Sequence, residues 1–173
     1  IKIRCVCRFV LWAACIASIS TQSAFSAIRI AVLPISPGHG ASAAIANAVS
    51  ASFRVAFAAR EIFSIVAAAD TAAELLAFES DVRADECSQA ECAVRVGRKL
   101  LAEWVVFGRI ETLPNANGRL IVYAAPTTPK TNREIEVGRI AIDAWRLDTV
   151  RRACDELRAR FETVLGVERT DAE

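Results

Sequence analysis

The chain has 173 residues, 54% of them apolar, with 21 Lys and Arg against 20 Asp and Glu. That length suits one domain with a full core, and a formal net charge of +1 argues against a basic nucleic-acid binder or an acidic tail protein. A lone histidine, His39, excludes a His-rich metal site or a two-His mechanism, and seven Gly with five Pro are too few for a low-complexity chain.

Lys2, Arg4 and Arg8 precede an apolar run from Phe9 to Ile19, and small and polar residues follow through Ala27. This is the layout of a secretory signal peptide, and the run is too short for a membrane span of ~20 residues. Residues 1–26 are expected to be removed, with Ala24 and Ser26 as the small residues at −3 and −1. Cleavage one residue later would put Phe25 at −3. A buried or amphipathic N-terminal helix fits the unbroken apolar run and its positive flank less well. A lipoprotein variant would use Cys15, in Trp12-Ala13-Ala14-Cys15, although Trp stands there where a Leu is wanted. Only that variant would hold the protein at a membrane. Loss of the leader removes three positive charges and no acid, turning +1 into −2, and leaves Cys87, Cys92 and Cys154 of the six cysteines.

From residue 27 the elements follow in order. Ile28 to Leu33 is almost wholly apolar and stops at Pro34, as a central buried strand does. The stretch 34–40 is rich in Pro, Gly and Ser and reads as a turn. Ala41 to Arg60 carries Ile45, Val49, Phe53, Ala56 and Phe57 at helical spacing, which predicts a long, mostly buried helix. Ile62 to Val66 is a second strand, and Asp70-Thr71 is placed to cap a short helix ending near Phe78. After an acidic loop, Ser88 to Leu101 forms a helix whose stripe is Ala93, Val96, Leu100 and Leu101.

Trp104 to Ile110 is a third strand. The turn Asn115-Ala116-Asn117-Gly118 sends Leu120 to Ala124 back against it, and Glu134 to Ile142 alternates as a further strand. The last helix has Val150, Cys154, Leu157, Phe161 and Val164 or Leu165 on one stripe. Its other face pairs Asp148 with Arg152, Asp155 with Arg158 and Glu156 with Arg160, and is read as solvated. Gly166 ends it, and 167–173 is expected to be a disordered tail. The order β-α-β-α-α-β-β-β-α predicts one α/β domain over 27–166, a mixed sheet of about five strands with helices packed on it.

Two stretches carry a resemblance. Ile28-Arg29-Ile30-Ala31-Val32-Leu33-Pro34 leads into a loop and a long helix. Cys87 to Ile110, CSQAECAVRVGRKLLAEWVVFGRI, is similar to the C…CAxxxGxxLGAxxVVxGxI segment of bacterial envelope domains related to the TolB N-terminal domain. The CsgG and LpoB periplasmic domains are relatives of the same family. The likeness spans essentially all of the chain after the leader. It departs where those sequences have Gly-Ala before the strand, since this chain has Leu101-Ala102-Glu103, and where they carry an Asp-x-x-Thr-Gly turn, here replaced by Pro126 to Asn132. The resemblance implies a non-enzymatic adaptor, in the periplasm or at the outer membrane, working through protein–protein contacts.

The chemistry-bearing residues leave several readings open. Cys87 and Cys92 stand at a loop-to-helix junction, where a disulfide, two free thiols, or a metal or redox site are the choices. The disulfide asks least, because zinc needs about four ligands and a redox motif needs CxxC spacing. Closing so small a loop stabilises by ~2 kcal/mol or less.

Gly38, His39, Gly40 and Ser42 lie between a strand and a helix N-terminus, where backbone N–H groups can hold an anion. The phosphate-loop and dinucleotide glycine patterns are missing, and a plain turn is the simpler reading. His39 beside Ser36 or Ser42 lacks a nucleophile elbow. Asp81, Asp85, Glu86 and Glu91 lack the calcium-loop pattern. Trp104 and Trp145 read as core or core-edge residues. The expectation is therefore an exported protein without catalytic residues, cofactor or metal. Its partner would be another envelope protein or a second copy of itself, and not nucleic acid. It would be periplasmic, or an outer-membrane lipoprotein if Cys15 is lipidated. The alternative is a small-ligand binder or enzyme using the 34–42 loop.

Overall fold

The structure, a computed structural model, describes residues 26–38, 40–81, 89–113, 117–128 and 134–166. Strand β1 (Ile28–Val32) is central because both of its faces are apolar: Ile30 and Val32 enter one core, Ala31 and Leu33 another. It pairs in parallel with β3 (Phe63–Ile65) and β4 (Trp104–Thr112). The chain then runs antiparallel through β5 (Gly118–Pro126) and β6 (Ile135–Ile142). The path across the mixed sheet is β3-β1-β4-β5-β6.

A sixth strand, β2 (Ser36–Pro37), falls where a turn was expected. β4 is nine residues long and outruns the five of β1, which leaves its far backbone groups without a partner on that side. Buried amides and carbonyls must be satisfied. Ser36 and Pro37 take up the pairing opposite Arg109 and Ile110, and the Gly38 N–H donates to the Ile110 carbonyl at 2.7 Å.

Helices α1 (Ala43–Ala58) and α4 (Leu147–Val164) cover one face. The expected stripes are the buried ones: Val49, Phe53 and Phe57 on α1, and Val150, Cys154, Leu157 and Phe161 on α4. Phe57 meets Phe161 edge-on at 5.5 Å and Phe63 at 5.2 Å, while Trp104 meets Phe161 at 5.6 Å from the core edge. Trp145 also packs against this core from its rim. Helices α2 (Ala68–Asp81) and α3 (Gln89–Lys99) lie on the other face, over a smaller core of Ala31, Leu33, Val96, Val105 and Phe107.

Local details differ from expectation for identifiable reasons. α2 begins two residues before Asp70, so Asp70 sits in its first turn, and the Thr71 hydroxyl donates back to the Ala67 carbonyl. α3 stops at Lys99, and Leu101 is 78% exposed, outside the stripe. On α4, Glu156 pairs with Arg160 as expected. Asp148 pairs instead with Arg146, and Arg158 with Glu162 rather than with Asp155. The leader's residues 1–25 and the tail 167–173 lie outside the described residues. Among the described residues no helix is long and apolar enough to cross a membrane.

Candidate interaction surface

Gly38, Gly40 and Ser42, between β1 and α1, are engaged in holding the backbone. A Cβ on Gly38 would collide with the Ile110 carbonyl, so the glycine allows the chain to run against β4. Gly40 has a φ of 76°, a left-handed conformation suited to glycine. Ser42 is the N-cap of α1, its hydroxyl accepting from the Ile45 N–H at 3.3 Å. His39 lies outside the described residues, as do Cys87, Asp85 and Glu86. Cys92 is on the first turns of α3. Among the described residues no group of three or more His, Cys, Asp or Glu is placed to hold a metal ion.

Cys154 is a free, fully buried thiol in the large core. Desolvation, with a smaller contribution from Asp155, pushes its pKa up to about 12, so it is an inert thiol at neutral pH. Arg54 reaches from α1 to the carbonyls of Val32 and Val66, tying together the ends of β1 and β3, and burial lowers its pKa. Between the starts of α1 and α4 is an open apolar hollow of about 240 Å³, lined by Ala44, Ile45, Ala48, Trp145, Leu147 and Val150.

The distinctive surface is made by strand alternation. Side chains at even positions of β4 and β5, such as Val106, Ile110, Leu120 and Val122, enter the core under α1 and α4. Those at odd positions face the other way. The core under α3 takes in Val105, Phe107 and Ala125, with Tyr123 packed against it, and α2 packs on α3 and β1. Beyond Phe107 and Tyr123 no helix among the described residues lies over this side of the sheet.

The strand register sets out this side of the sheet as three rows. Phe107, Tyr123 and Glu136 form one, Arg109, Ile121 and Arg139 the next, and Glu111, Arg119 and Ala141 the last. The Phe107 and Tyr123 rings stack at 5.7 Å. Arg109 pairs with Glu111 at 2.9 Å, and Arg119 reaches the same carboxylate at 3.8 Å. Arg139 and Glu136 make a two-pronged contact at 2.7 Å. Those hydrogen bonds raise the pKa of Arg109 and of Arg139 and lower that of Glu136. Ile121, opposite Arg109 and Arg139 in the register, is buried. Three guanidinium groups thus share two carboxylates on this side of the sheet.

These arginines belong to no motif in the sequence. The signal available was the entry of Arg109 and Glu111 into an otherwise apolar strand, together with Arg119 two positions before buried Ile121.

No family model matches the chain, and no curated protein sequence matches it. Solved structures do. The LpoB C-terminal domain from Escherichia coli is similar with a TM-score of 0.51 and 16% identity, over 72% of this chain and 88% of that one. The solution structure of E. coli LpoB gives 0.50 and 16%, over 67% of this chain and 57% of that one. TolB from Acinetobacter baumannii gives 0.47 and 11%, over 81% of this chain and 29% of that one. At these identities the LpoB likeness is one of fold.

Proposed function

We propose that this chain is an exported, non-enzymatic adaptor of the bacterial envelope, acting through protein–protein contacts in the periplasm or at the outer membrane. The observation that carries the reading is the side of the sheet beyond α3, where Arg109, Arg119 and Arg139 share Glu111 and Glu136. An arginine-rich cluster of this kind is suited to a polar macromolecular contact. The fold shared with the LpoB domain supports the compartment, as does the leader pattern of residues 1–26.

The test is site-specific photocrosslinking in the native host. A photoreactive residue at Arg119, in the arginine cluster, is compared with one at Arg151, on the exposed side of α4. The chain is expected in the envelope fraction, with protein adducts from position 119 and few from 151. Recovery from the cytoplasm alone, or equal labelling from both positions, would reject the proposal.

A further inference from the structure

Of the sixteen residues of α1 only Arg54 is charged, and its side chain is turned down to the Val32 and Val66 carbonyls. The solvent side of the helix is left with Ala44, Ala48, Ala51, Val55 and Ala58, all of them exposed, Val55 by 67%. A helix with a solvent face carries charge there, and one that is apolar all round is a buried helix. Two to three turns before Val55, Ala48 and Ala44 form one wall of the open hollow of about 240 Å³. Leu147, 55% exposed, forms part of the other wall.

α4 runs beside α1 in the same direction. Both helices start at the hollow, the Cys154 Sγ lies 4.0 Å from the Val49 carbonyl oxygen, and Arg60 meets Glu162 at the far end. Ala51 therefore stands level with Ala153 and Cys154. On either side of that level are Arg152 and Asp155, both exposed and neither in an ion pair among the described residues.

These features share one two-fold axis. Val55 lies four residues past Ala51, ~6 Å along α1, and the α1 wall of the hollow lies about as far before it. A second copy laid face to face and turned end for end about Ala51 sets each Val55 over the hollow of the other. Alanine then meets alanine, which lets the two helices approach closely. The same rotation brings Arg152 of each copy opposite Asp155 of the other. The outer faces of α1 and α4 together are about 24 Å long and about 20 Å wide, ~1,000 Å² over both copies, the size at which specific interfaces begin.

We infer that the chain forms a two-fold dimer in which α1 packs antiparallel on α1 of a second copy, with Val55 seated in the opposite hollow and reciprocal Arg152–Asp155 pairs alongside. The contact is isologous and closes at two copies. α1 and α4 lie on the opposite side of the sheet from Arg109, Arg119 and Arg139, so the dimer leaves that cluster free. It also needs no export, so it and the proposed envelope role can fail separately. Photoadducts between two copies have twice the mass of the chain and are counted apart from adducts with another protein.

Sedimentation velocity of the full-length chain over a range of concentrations tests it, and a monomer–dimer equilibrium is expected. Val55→Asp, which carries a charge into the hollow, should weaken the dimer tenfold or more. Arg152→Glu and Asp155→Arg, each alone, should weaken it about tenfold, since each sets like charges opposite one another. Circular dichroism establishes that each variant is folded.

Mixing the two charge variants is the decisive arm. Together they restore both opposite-charge pairs, so an equal mixture should form a heterodimer about as tight as the wild-type dimer. A wild-type chain that stays monomeric overturns the inference. So does a dimer that ignores Val55→Asp, or a mixture that associates no more tightly than its components.

Discussion

Leu101 is among the described residues the one non-glycine with a positive φ, at 54°. It stands at the end of α3, where its N–H donates to the Arg98 carbonyl and the Ala102 N–H to the Gly97 carbonyl. This pair of bonds is a Schellman closure, which places a left-handed residue at that position and favours glycine there. The resembling envelope domains carry Gly where this chain has Leu101. A left-handed Cβ costs ~1–2 kcal/mol, partly offset by the greater freedom glycine has in the unfolded chain. Leu101→Gly is therefore expected to raise stability by about 0.5–1 kcal/mol, read as a higher urea midpoint with an unchanged slope. A lower midpoint would show that the exposed leucine side chain contributes more than its backbone costs. Glu162 illustrates a residue-scale feature that spacing alone could not show. It is 3% exposed, held by Arg158 one turn away and by Arg60 at 3.1 Å. The turn-to-turn partner could be read from i,i+4 spacing, but Arg60 arrives from another element through the tertiary fold.

At the scale of elements, periodicity carried most of the information. α1 and α4 bury the stripes their spacing predicts, because a helix packed on a sheet has one face to hide. α2 was harder to delimit, since its alanines and Leu76 stay in solvent and give no clean stripe. β2 was illegible because its pairing satisfies the surplus length of a strand some seventy residues later. The seating of α3 rests on Gly97. A Cβ there would lie 2.8 Å from Thr127 Cγ2 and 3.2 Å from Val105 Cβ. Thr127 has little room to withdraw, because its hydroxyl donates toward the carbonyls of Ala102 and Glu103 and its N–H donates to Glu103. Alanine would gain ~1 kcal/mol of helix propensity but would press α3 away from β4, and overpacking of this kind costs about 1–3 kcal/mol. Gly97→Ala is expected to lower the thermal midpoint. Pairing it with Thr127→Ser, which removes the nearest methyl, should recover part of the loss. A neutral single substitution would mean that α3 sits more loosely than its contacts indicate.

At the scale of the whole molecule, the α/β class and element order followed from the alternation of apolar runs and helical stripes. The side of the sheet that no described helix covers did not, because it depends on where α2 and α3 come to rest, and no local pattern encodes that. The leader and the Cys87–Cys92 pair can be tested together by counting thiols. Cleavage after Ser26 discards Cys5, Cys7 and Cys15, so chain recovered from the envelope and fully reduced in denaturant should show three thiols, against six for an uncut chain. Pairing of Cys87 with Cys92 in an oxidising compartment removes two more. Denatured but unreduced protein should then show a single thiol, Cys154. The native protein should show almost none, since that thiol is fully buried and its pKa stands at about 12. A count of three without reduction would reject the disulfide while leaving export intact, and a count of six after reduction would reject cleavage. Rapid labelling of the native protein would instead place a reactive cysteine outside the core.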